Sequence, residues 1–278
     1  MIRAMFWKEW REHWVKYAIY WLLLNFPILF VAVILGSGMA AKNPLTDLSN
    51  ATAMKYLQLS LGESWALMVL FPIFTGGLAV ATFSPEIENG SLFFIYEQAV
   101  SRGRYAAMKL LNGGFHIVLA VCFAMLAAPA AVYAMLLASG KVTAAAAGAE
   151  FASVIAAAGR SVVWCSLISL MAFTFSAGLS VLLRRWWLAG ACAAAAIIAF
   201  INDKTTDFFT LDSWAGGGTS SASVQFNQGK PWLLVTGTPM HAADWARFHP
   251  LPLLTAALAV AVFATATALA YRRREVMQ

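Results

Sequence analysis

The chain has 278 residues, of which 61% are hydrophobic and 12% charged, with a formal net charge of +6. A soluble domain carries about 25% charged residues, and a mean hydropathy of +0.70 leaves far more apolar surface than a soluble core could bury. The composition excludes an ordinary water-soluble enzyme and predicts an all-α polytopic membrane protein.

At the N-terminus, Phe6, Trp7, Trp10, Trp14, Tyr17 and Trp21 fall within about a third of a helix circumference. Lys8, Glu9, Arg11, Glu12 and Lys16 take the opposite side. Residues 1–16 are therefore expected to form an interfacial amphipathic helix lying in the headgroup plane, anchored by Trp7, Trp10 and Trp14. A long first helix that continues into the cytoplasm with an aromatic belt fits the same spacing. The apolar run from Tyr17 exceeds the roughly 7–15 residues of a signal h-region, so no cleavable signal is expected.

Six apolar stretches, 17–40, 65–84, 110–138, 161–183, 187–202 and 251–271, are predicted as transmembrane helices, each near the ~20 residues that a crossing requires. The third is over-long and contains Pro129, which predicts a kink or a projecting end. The fifth is short and rich in alanine. Cys122, Cys165 and Cys192 all lie in these runs and form no CxxC pair, so they are read as packing or lipid-facing residues without a disulfide framework.

Between the second and third spans lies a charged island, 85–109. It holds Glu86 and Glu88, a glycine break at Gly90, and a basic exit at Arg102 and Arg104. Such groups cannot sit in hydrocarbon, so the island is placed in water beside the membrane. The short turn Arg184-Arg185-Trp186-Trp187 has the make-up of an interfacial anchor. Residues 203–250 are expected as the largest outer loop. Met240, His241, Asp244 and His249 in that loop are read as unliganded, so no metal site is expected.

Orientation follows from the basic residues. With the N-terminus inside, the inner segments hold Arg3, Lys8, Arg11, Lys16, Arg102, Arg104, Lys109, Arg184, Arg185, Arg272, Arg273 and Arg274, most of the 19 basic residues. The outer segments carry the rest, balanced by acidic residues. The whole positive balance therefore falls on the cytoplasmic face, both termini are placed there, and the charge reflects topology rather than a nucleic-acid partner. A bacterial inner membrane is the expected location.

The island resembles the first cytoplasmic loop of permease subunits of type-2 ABC transporters. Those proteins often carry E-x-E-x-G-[TS]-L, about six residues, and then P-V-S-R. Glu86, Glu88, Gly90, Ser91, Leu92, Val100, Ser101 and Arg102 follow that order and spacing, with Ala99 in place of the proline. The resemblance implies that Glu86, Glu88, Gly90, Ser91, Ser101 and Arg102 couple the chain to an ATP-binding cassette ATPase. It also implies a second permease subunit, identical or paralogous, and an interfacial helix before the first span. Under it, Glu86, Glu88 and Gly90 cap and break the helix that receives the ATPase stroke. An ordinary solvated loop with basic flanks fits the island too.

Several absences narrow the function. No G-x-x-x-x-G-K-[ST] occurs, so no cofactor is expected on this chain; ATP and Mg would be bound by the partner subunit. No Asp, Glu, Lys or Arg lies well inside the predicted spans, which disfavours an ion-coupled carrier. Only His116 falls within a span, so one chain offers no pair of axial histidines for a haem. No catalytic set is found, and the chain is not expected to be an enzyme. The reading is a permease subunit of an ABC exporter-like complex moving an amphiphilic or hydrophobic substrate past small side chains such as Thr75-Gly76-Gly77 and Ala191–Ala196. A non-transporting membrane scaffold and, less favoured, a secondary carrier stay open.

Overall fold

The computed structural model of the chain describes residues 2–41, 65–88, 102–138, 144–183, 185–202 and 250–273. Among the described residues the fold is all-helical, with six helices and no strand. These are α1 (Ile2–Ala41), α2 (Trp65–Glu88), α3 (Arg102–Ala138), α4 (Ala144–Leu182), α5 (Trp186–Asn202) and α6 (Pro250–Arg273). The expected segments 42–64 and 203–249, including His241, Asp244 and His249, lie outside the described residues, as do Gly90, Ser91, Ser101 and Arg184.

Helix α4 is the centre of the bundle and packs against α2, α3, α5 and α6, while α1 lies along α3 and touches α2. Small residues let the backbones approach. A Cβ on Gly113 would strike the Phe173 ring, and one on Gly76 would meet Ser176 Oγ and Ile197 Cδ1 at 2.9 Å. Phe83, Phe173, Ile117, Ala120, Val121, Ala177 and Val181 fill the space between these crossings. Side-chain hydroxyls are turned onto their own helices, as in Thr75 to the Phe71 carbonyl at 2.6 Å and Ser180 to the Ser176 carbonyl at 2.8 Å.

The outside of the bundle is apolar. Leu111, Phe115, Leu119, Phe123 and Leu126 line the exposed face of α3; Ile19, Leu22, Leu23, Phe26 and Phe30 do so on α1, and Leu254, Leu258, Val262 and Leu269 on α6. Two helical stretches among the described residues, Gly103–Ala124 and Cys165–Leu182, are long and apolar enough to cross a bilayer. Trp186–Ile198 is apolar but shorter.

Three expectations need correction. The division of residues 1–16 from 17–40 is absent: α1 runs through both as one helix of 40 residues, about 60 Å at 1.5 Å per residue. Its buried stripe is His13, Tyr17, Tyr20 and Leu24. Trp7 and Trp14 are 65% and 55% exposed, whereas Trp10 packs on the core. The charged island is also shorter than 85–109, because α2 carries Glu86 and Glu88 in its last turn and α3 already begins at Arg102. Finally, the fourth predicted span does not begin at 161, because 144–160 is the first part of α4. Alanine dominates this stretch and favours continuing a helix once one is formed.

Candidate functional site

The densest polar cluster lies where the end of α2 meets α1 and the start of α3. Lys109 is fully buried, and its Nζ lies 2.5 Å from Glu86 Oε1. The same ammonium donates to the Thr82 carbonyl at 2.9 Å and sits 5.2 Å from the Phe83 ring centroid and 5.6 Å from that of Tyr105. Tyr105 Oη donates to Glu86 Oε1 at 3.1 Å, and His13 Nε2 of α1 lies 3.8 Å from the same oxygen. Tyr105 and Lys109 are one helical turn apart, which is why α3 can present both to one carboxylate. Lys16 Nζ of α1 donates to the Ala81 carbonyl at 2.6 Å.

This environment sets the ionisation of Glu86. Burial by itself would push its carboxyl up. The Lys109 charge, with the hydrogen bond from the same ammonium and the neighbouring His13 side chain, outweighs burial and holds it at about 2. Glu86 is therefore an anion that ties three helices together.

A layer of aromatic stacking continues this junction into the bundle. His116 of α3 lies between Trp10 and Tyr17 of α1, at 4.5 and 4.2 Å between ring centroids. Asn112 Nδ2 donates to Tyr17 Oη at 3.4 Å. Tyr105 also approaches Tyr271 near the end of α6, with centroids 6.3 Å apart.

Among the described residues the two motif carboxylates differ in setting. Glu86 is bonded inside the bundle, correcting its expected place on a solvated loop. Glu88 is exposed at the end of α2, and Arg104 is exposed near the start of α3. Of Arg102 only the backbone is described, at the first position of α3. Arg185, Trp186 and Trp187 are exposed at the α4–α5 turn. Thr75 and Gly76, expected along a pathway, instead occupy helix crossings: Tyr20 Oη and Thr75 Oγ1 are 3.1 Å apart, and Gly76 faces Ser176.

Sequence reasoning missed His13, Lys16, Tyr105 and Lys109 as site residues. The i, i+4 pair Tyr105/Lys109 beside an acidic helix end was the available signal. Among the described residues no three His, Cys, Asp or Glu side chains gather as a metal site. No family model matches this chain, and no curated protein does.

Proposed function

We propose that the chain is a six-span permease subunit of an ABC exporter-like complex, with its charged end in the cytoplasm and ATP hydrolysed by a separate subunit. The observation that carries this reading is the placement of the two motif carboxylates. Glu88 faces outward at the end of α2, while Glu86, half a turn earlier, is paired with Lys109 of α3 and lies 3.8 Å from His13 of α1. A force applied near Glu88 would therefore be passed to three helices at once. The exposed apolar faces of α1, α3 and α6 suit hydrocarbon or a second permease subunit better than water. The lack of a phosphate-cradling loop in the sequence fits an external energy source.

Purification of the full chain from its native membrane in mild detergent tests this proposal. A co-eluting subunit with a phosphate-binding loop and ATP hydrolysis in the same fractions would support it. A chain that elutes alone, without hydrolysis, would overturn it in favour of a membrane scaffold.

A further inference from the structure

Pro85 lies inside α2 and has no N–H, so it cannot supply the i to i−4 bond to the Ala81 carbonyl. That carbonyl accepts from Lys16 Nζ at 2.6 Å, and its neighbour, the Thr82 carbonyl, accepts from Lys109 Nζ at 2.9 Å. The two cations come from different helices, α1 and α3. They converge on the point where the proline removes a backbone donor. An ordinary helix end uses water or a local cap for such carbonyls; here charged side chains of two neighbouring helices do so in a partly buried setting.

We propose that Pro85 makes the last turn of α2 a hinge, and that Lys16 is a positioning residue that holds this hinge closed against α1. Lys109 and Glu86 fix the other side, so the orientation of the turn bearing Glu88 depends on how α1 and α3 sit. A bond to a charged donor contributes more than a neutral one, yet a single lysine side chain can be withdrawn without unravelling the helix. The hinge itself is independent of any ATPase; its role in relaying motion rests on the permease reading above.

Pro85→Ala restores the backbone N–H and should make Lys16 dispensable, which gives a paired test. Hydrogen exchange across 81–88 is measured on the full chain in lipid nanodiscs. Lys16→Met should speed exchange about tenfold or more in the Pro85 background, as expected for loss of a charged hydrogen bond. It should have little effect beside Pro85→Ala, and Lys16→Arg should restore slow exchange. Equal acceleration in both backgrounds, or none in either, would overturn the hinge. If Lys16→Met misfolds, Pro85→Ala/Lys16→Met must refold to native-like exchange, and its failure to do so also overturns it. A confirmed hinge in a chain that co-elutes with no ATPase would leave the hinge standing and remove its coupling role.

Discussion

Lys109 Nζ sits 2.5 Å from Glu86 Oε1 with the lysine side chain wholly excluded from solvent. Neither residue is an ordinary loop charge, and each depends on the other for neutrality. Glu86→Gln leaves a buried ammonium without its anion, which costs about 3–5 kcal/mol where such pairs have been broken. A marked fall in melting temperature is expected, with substantial recovery in Glu86→Gln/Lys109→Met. Equal losses for the single and double variants would show that the pair is not the source.

The same pair fixes a pH dependence. The Glu86 carboxyl, ordinarily near 4.5, lies at about 2 in the fold, so its ionised form stabilises the folded chain by roughly 3 kcal/mol. That contribution is complete above pH 4.5 and lost as pH falls towards about 2. Melting temperatures of the wild type and Glu86→Gln should differ most above this window and converge below it. A gap that stays constant through acid pH would contradict the assignment.

The helix crossings give a packing test with an internal control. A methyl at Gly113 would strike the Phe173 ring, whereas one at Gly77 meets nothing within 4 Å. Gly113→Ala is expected to destabilise by about 1–3 kcal/mol, the usual cost of overpacking, with Phe173→Leu compensating. Gly77→Ala should be neutral or stabilise by about 0.5–1 kcal/mol through helix propensity. Thermal melting of Gly113→Ala, Gly113→Ala/Phe173→Leu and Gly77→Ala separates these outcomes.

Topology can be checked with single cysteines in a background lacking Cys122, Cys165 and Cys192. In intact cells an impermeant thiol reagent should label Ser49→Cys and Ser221→Cys but not Ser101→Cys. Labelling at Ser101→Cys without Ser221→Cys would invert the proposed arrangement.

The sequence made the helices readable because long apolar runs bounded by charge leave few alternatives: Trp186–Asn202 and Pro250–Arg273 begin within a residue of expectation. The boundary between 16 and 17 was not readable, since aromatic residues at helical spacing suit either a surface-lying helix or the single long α1. The site was legible only in part. Glu86 was found from its motif, but its burial follows from Lys109 and Tyr105, which reach it from another helix. Lys16 read as one of several charges on a solvated side; its contact with Ala81 arises from the packing of α1 on α2.

Because Glu86 holds the bundle together, Glu88 and Arg104, both exposed, are the appropriate places to disturb an ATPase contact. The most direct test is co-purification of the ATP-hydrolysing subunit with Glu88→Lys/Arg104→Glu, compared with the wild type in the same membranes. The permease account predicts that the ATPase is lost from the variant while its melting temperature stays unchanged. Full retention of the ATPase with undiminished hydrolysis would contradict docking at this end of the bundle.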